Sequence, residues 1–184
     1  MSICSNALQQ LGDDGIASFS LSEGKRARLC GNLWPQVRDF LLRLHAWPCI
    51  RKQVTLAPEA AEPEFDWGYK FLLPGDWMRT LQVGERSQPL RYEHIGRSLY
   101  ADTDTLRIVY AWRNEDPALW DSLLCDLACA EMVARLAYPI TQSASLAELK
   151  RREADHALRV AKSIAGQDNE PEDWGDSPFI AARY

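Results

Sequence analysis

The sequence contains no run approaching the roughly 20 apolar residues of a membrane span, and residues 1–15 lack the basic stretch and long apolar core of an export signal. A soluble, unprocessed chain is expected. Paired cysteines are missing too: Cys4, Cys30, Cys49, Cys125 and Cys129 are odd in number and form no C-x-x-C pair. Several fall on apolar helical faces, so they read as buried free thiols of a protein folding in reducing cytosol. Positive charge is not in excess either. With 21 Lys and Arg against 26 Asp and Glu, the formal net charge is −5, which argues against a surface that coats DNA or RNA.

The common signatures of catalysis are also absent. No G-x-x-x-x-G-K-[ST], G-x-S-x-G or H-E-x-x-H occurs. The three histidines, His45, His94 and His156, fall on separate segments and nominate no metal site. Cys125 and Cys129 are four residues apart and share a helical face, but their neighbours Leu124, Leu127 and Ala128 favour packing over thiol chemistry. Acidic residues are plentiful, yet nothing in their spacing singles out a pair as general acid and base. No catalytic residue, cofactor or metal ligand is assigned.

What is present is a strong helical period. At 184 residues with 46% hydrophobic content, the chain suits one domain with its own core. Ser20 and Glu23 have capping-box spacing, which predicts a helix starting near Ser20 or Ser22. Leu29, Cys30, Leu33, Trp34, Val37, Phe40, Leu41 and Leu44 then form an apolar stripe, with Lys25, Arg28, Gln36, Arg38, Asp39 and Arg43 on the wet side. Pro35 should kink this helix, and Trp47-Pro48 should end it. A short helix over Ser2 to Leu11, closed at Gly12, is expected to dock on it.

After Pro48 the period changes to alternation. Residues 53–56, 69–73, 77–83, 90–95 and 106–112 read as five strands of an antiparallel unit, and 57–66 as an exposed loop of low order. Asp116-Pro117 predicts an N-cap and first helical position. The helix that follows, with Leu119, Trp120, Leu123, Leu124, Leu127, Ala128, Met132, Val133 and Leu136 inward, should end at Tyr138-Pro139. A last helix from about Ser145 to Ala165, stopped by Gly166, would bury Leu146, Leu149, Ala154, Ala157, Leu158, Ala161 and Ile164. Its Lys150, Arg151, Arg152 and Arg159 alternate with Glu148, Glu153 and Asp155, reading first as a solvated, ion-paired face and second as a partner contact.

The fold class expected is therefore α+β: an antiparallel-type helical bundle (1–48 and 116–165) with a small antiparallel β insertion (49–115) and an extended C-terminal arm (166–184). The arm is acidic but retains aromatic residues. Trp174, Phe179, Ile180, Arg183 and Tyr184 are candidate partner-binding residues, the alternative being that the aromatics fold back on their own domain.

The order of several segments resembles the tail tubular protein A family, the head-to-tail adaptors of short-tailed phages and prophages. The matching pieces are Asn6-Ala-Leu-Gln-Gln-Leu-Gly12, Ile16, Leu21-Ser-Glu-Gly-Lys25, and Trp34-Pro-Gln-Val-Arg-Asp-Phe-Leu-Leu-Arg-Leu-His-Ala-Trp47. They continue with Tyr69-Lys-Phe-Leu-Leu-Pro-Gly-Asp76, the helix after Asp116-Pro117 and the ending Ser177-Pro-Phe-Ile-Ala-Ala-Arg-Tyr184. Ala46 and Cys49 depart from the family pattern, which has proline and phenylalanine there. The resemblance implies a non-enzymatic virion component in the tail or neck, present in host cytoplasm before assembly. Its implied partners are a portal protein, neighbouring subunits in a dodecameric ring, a distal tail or nozzle protein, and translocating DNA without sequence-specific binding; no membrane is implied. Competing classes are a virion-associated cell-wall hydrolase and a monomeric interaction module.

Overall fold

The computed structural model of the chain describes residues 2–20, 24–85 and 88–167. It is a mixed α+β structure. The described elements are helices α1 (Ser2–Gln10), α2 (Gly24–Leu44), α3 (Ser122–Thr141) and α4 (Ala144–Gln167), with strands β1 (Arg51–Leu56), β2 (Tyr69–Leu72), β3 (Trp77–Glu85), β4 (Gln88–Pro89), β5 (Tyr92–Ile95), β6 (Ser98–Ala101) and β7 (Leu106–Trp112) between α2 and α3.

α3 is the hub of the helical layer: α1, α2 and α4 all pack on it. Its stripe of Leu124, Leu127, Ala128, Met132, Val133 and Leu136 is buried and joins Leu8, Trp34, Val37, Leu41 and Ala161 in one core. The short helix α1 has its main contact with α3 rather than with the long helix α2, a correction to the sequence expectation. It meets α2 through the buried Cys4 and Cys30. α1 closes as expected at Gly12, whose φ of +78° lets Asp13 N–H reach Leu8 C=O and Gly12 N–H reach Gln9 C=O, both at 3.0 Å.

Helix ends differ from expectation in instructive ways. α2 runs through Pro35 to Leu44, and Trp47 is buried with its indole N–H donating to Leu41 C=O at 2.8 Å. The capping box falls partly outside the described residues, since Glu23 is not among them. Asp116-Pro117 does begin a helical turn, with Asp116 accepting from Ala118 N–H at 3.0 Å, but that turn is a three-residue 3-10 segment ending at Leu119. α3 starts afresh at Ser122, capped by Asp121, whose Oδ1 accepts from Leu124 N–H at 2.7 Å. Leu119, expected inward, is consequently exposed. Pro139 does not end α3: near the C-terminus it removes one helical bond, and the helix closes at Gln142 with φ +57° and its N–H on Tyr138 C=O. Gly166 lies inside α4 rather than stopping it, and Leu149 is outward.

The strands form two sheets instead of one unit. The larger has order β1-β7-β3-β4, the smaller β2-β6-β5, and every pairing is antiparallel. Strand β6 was not expected from sequence; it pairs with β5 across the two-residue turn Gly96-Arg97, where Gly96 has φ +62°. Phe71, Leu99, Leu106, Ile108 and Tyr110 lead a second core where the two sheets meet. β3 joins the two cores. Its pairing with β7 skips one residue between Trp77 and Arg79 and one between Thr80 and Gln82. The skipped residues, Met78 and Leu81, belong to the helical core, so two bulges turn apolar side chains of a strand onto the helices.

Candidate interaction surface

The structure keeps the histidines apart in environment. His94 and His156 are exposed, and His94 stacks edge-on against Trp77 with ring centroids 5.0 Å apart. Among the described residues no group of three or more His, Cys, Asp or Glu is arranged to hold a metal ion. No described helix is long and apolar enough to cross a membrane. All five cysteines are free, but only Cys4, Cys30 and Cys129 are buried; Cys49 and Cys125 are half-buried.

Cys125 and Cys129 do share a face, lining a cleft of about 630 Å³ with Asn6, Gln10, Pro117 and Asp126. Gln10 Nε2 donates to Cys129 Sγ at 3.5 Å. Burial, with neighbouring carboxylates behind it, raises both thiols above their ordinary range. That disfavours the thiolate needed for nucleophilic or metal-binding work. Burial likewise pushes Cys49 up to about 11.

Asp76, the last residue of the segment Tyr69 to Asp76, has a structural task. Lys52 Nζ lies 2.6 Å from its Oδ2 and Tyr110 O–H donates to its Oδ1 at 3.0 Å, while its backbone carbonyl accepts from Arg113 N–H at 2.7 Å. Burial pushes the Asp76 carboxyl up, but these two side-chain bonds outweigh it and hold the group below its ordinary range. Burial and the bond to Asp76 push Tyr110 up to about 12. Lys52 also sits 3.7 Å from the Trp112 ring centre. The cluster ties β1 and β7 to the turn before β3.

A second polar cluster was hidden by the sequence pattern. Glu131 falls on the apolar stripe of α3 and is only 3% exposed. Arg135 Nε donates to it at 2.9 Å, and Arg151 Nη1 donates to both of its carboxylate oxygens at 3.0 Å. Arg151 also reaches Asp155 at 2.7 Å. On the charged face of α4, Lys150, Arg151 and Arg152 are therefore ion-paired, and Arg151 is also committed to α3. The detectable signal was an acid four residues after Leu127 on an otherwise apolar stripe. Arg38, expected on the wet face of α2, is likewise largely buried and paired with Asp39 at 2.9 Å and Glu115 at 3.1 Å, whereas Phe40 is exposed beneath Arg135.

Unlike these closed clusters, the small sheet presents uncovered apolar surface. Tyr69 and Tyr92 flank Ala101 in one cross-strand row, and Leu72 and Ile95 flank Ser98 in another. Leu72 and Ile95 are 55% and 52% exposed, and Phe65 nearby in sequence is 73% exposed. Among the described residues, β2 and β5 each pair on one side only. Arg91 lies over the Trp67 ring at 4.8 Å, and Trp67 Nε1 donates to Glu93 at 2.8 Å. The loop 57–68 leading here has neither helix nor strand and is held by Glu59, whose N–H donates to Lys70 C=O at 2.7 Å.

The residues chosen from sequence for partner binding, Trp174, Phe179, Ile180, Arg183 and Tyr184, lie outside the described residues. No known family model matches the chain, and no curated protein matches it significantly.

Proposed function

We propose that the chain is a structural head-to-tail adaptor, without enzymatic activity, that docks as a dodecameric ring beneath a portal protein. In this reading neighbouring copies contact one another, the ring surrounds translocating DNA without reading its sequence, and its lower face receives a distal tail or nozzle protein. The helical segments act as a rigid antiparallel bundle, residues 49–115 as a β insertion, and residues 166–184 as an extended arm. The product resides in the virion neck, after assembly from host cytoplasm.

The observation that carries this reading is the uncovered small sheet. Scattered exposed apolar residues are ordinary on a monomer. Here Leu72 and Ile95 share one face of a sheet of four-residue strands and Tyr69 and Tyr92 the other, and among the described residues its outer strands β2 and β5 each pair with one strand only, a combination that favours contact with another chain. The ordered resemblance along the chain supplies the identity of that chain. The test is truncation after Gln167. The shortened protein should keep its circular dichroism and melting while losing stable attachment to the portal in sedimentation; full-affinity attachment would sink the arm reading, and unfolding would place the arm in the core.

A further inference from the structure

β5 is exposed at all four of its residues, Tyr92–Ile95, and is an outer strand of the small sheet. Its register with β6 fixes which backbone groups face outward. The two-residue turn Gly96-Arg97 makes Ile95 and Ser98 a hydrogen-bonded pair, and in an antiparallel ladder such pairs alternate with non-bonded ones. Glu93 and Ile95 therefore direct their N–H and C=O groups to β6, while those of Tyr92 and His94 point away from it. The same alternation turns Arg97 C=O to the other side of β6, where it accepts from Leu73 N–H at 3.0 Å. Among the described residues no segment bonds the outward groups of Tyr92 and His94.

The opposite edge is not open in this way. β2 directs Lys70 and Leu72 outward, but Lys70 C=O accepts from Glu59 N–H at 2.7 Å and Lys70 Nζ lies 2.6 Å from Glu59 Oε2. The loop before β2 thus covers part of that edge. A strand arriving from another chain meets an uncovered row only at β5.

The side chains along that row are complementary to themselves. Arg91 and Glu93 both meet Trp67: Arg91 lies over its ring at 4.8 Å, and Trp67 Nε1 donates to Glu93 at 2.8 Å. The two charges therefore project to one side of the sheet, with Tyr92 between them facing the other. Neither has an ion-pair partner among the described residues. Two antiparallel copies of β5 can meet through Tyr92 and His94 in three registers. Tyr92 opposite His94 sets Glu93 against Glu93 of the second copy, and His94 opposite His94 sets Arg91 against Arg97, like charges that oppose pairing. Tyr92 opposite Tyr92 instead sets Arg91 of each copy against Glu93 of the other, two equivalent ion pairs beside one aromatic pair.

We propose that the open edge of β5 binds a second copy of this chain, the two β5 strands pairing antiparallel about a two-fold axis at Tyr92, with Arg91 of each copy bonded to Glu93 of the other. The pairing joins two three-stranded sheets into one and covers an edge that would otherwise template open-ended strand addition. It does not rest on the adaptor reading: a two-fold contact closes at two copies and cannot by itself build a ring, so it belongs to the free chain. Two four-residue strands bury less than the roughly 1,200–2,000 Å² of a stable complex, which places the association at high micromolar to millimolar concentration.

Sedimentation equilibrium of the full chain up to millimolar concentration, with amide hydrogen exchange in parallel, tests the pairing. Monomer and dimer should be the only species. Protection of the Tyr92 and His94 amides should rise with concentration, while Glu93 and Ile95, already bonded to β6, change little. Arg91→Glu and Glu93→Arg should each weaken self-association about tenfold or more by setting like charges opposite one another. An equimolar mixture of the two variants should dimerise again, because each then offers the charge the other lacks. High salt should weaken the dimer of the unaltered chain. A chain that stays monomeric throughout would overturn the proposal, as would a dimer whose Tyr92 and His94 amides exchange as in the monomer. Protection of those amides at every dilution would assign the edge to the chain's own residues, and a ladder of species beyond the dimer would assign it to open-ended pairing; either result overturns the two-fold contact. Failure of the two variants to pair when mixed, each shown folded by circular dichroism, would overturn the register through Tyr92.

Discussion

The helical layer and the β region are stabilised in different ways. In the helical layer a single stripe on α3 is covered by three other helices, and the large buried side chains Leu41, Leu124, Leu127, Met132 and Leu136 belong to one core. The β region has a smaller core between two sheets, built from residues far apart in sequence, such as Phe71 opposite Leu99 and Leu56 opposite Leu106. One region is thus specified by local period and the other by long-range register, which makes the β region the natural site of independent opening. The link between them is narrow: Met78, Leu81 and Trp112 carry apolar contact from the sheets to the helices.

The largest expected effect comes from emptying the smaller core. Phe71→Ala should destabilise the protein by about 3–5 kcal/mol. Hydrogen exchange should quicken in β2, β6 and β5 well before α1, α3 and α4; equal loss everywhere would remove the distinction between the regions. Met78→Ala, acting at the bulge, should cost about 2–5 kcal/mol and loosen α2 together with β3. A loss of protection confined to β3 would show that the bulge does not join the cores.

Helix caps sharpen the contrast on the other side. Asp121→Ala removes the bond to the start of α3 and should cost about 0.5–2 kcal/mol in a denaturant titration. Asp116→Ala, which frees only a short 3-10 turn, should cost less; the reverse order would mean that the turn, not Asp121, sets the start of the helix.

The smallest effect is electrostatic and confined to the sheets. Tyr110 is raised, so its contribution is full below its ordinary value of 10.0 and is lost as pH rises toward about 12. Asp76 is lowered below its ordinary 3.8, so its contribution is present above that value and lost as pH falls through its folded value. Melting followed against pH should lose the alkaline decline in Tyr110→Phe. An unchanged alkaline limb would mean that the pair of Tyr110 with Asp76 does not contribute.

This contrast also explains what was legible in the sequence. Helical period exposed the stripes of α2 and α3 because each is encoded within a few turns. β7 was readable over Leu106–Trp112 because it alternates and is bounded by loops. β6 was not, since its four residues Ser98–Ala101 acquire meaning only through pairing with β2 and β5 on either side. The start of α3 was misplaced because Asp116-Pro117 is the stronger local signal, whereas the cap in the structure is Asp121, next to Trp120, whose ring packs on Trp34 5.8 Å away. Glu131 was overlooked because its partner Arg151 arrives from another helix. The apolar rows of the small sheet depended on a register that sequence does not display, and the arm chosen from sequence lies outside the described residues.

The adaptor reading is tested most directly by electron microscopy of the full chain mixed with purified rings of a portal protein encoded in the same genome. The expected result is a closed additional ring of this chain beneath each portal. Portals that remain bare beside free chains, at concentrations where both proteins are folded, would contradict it.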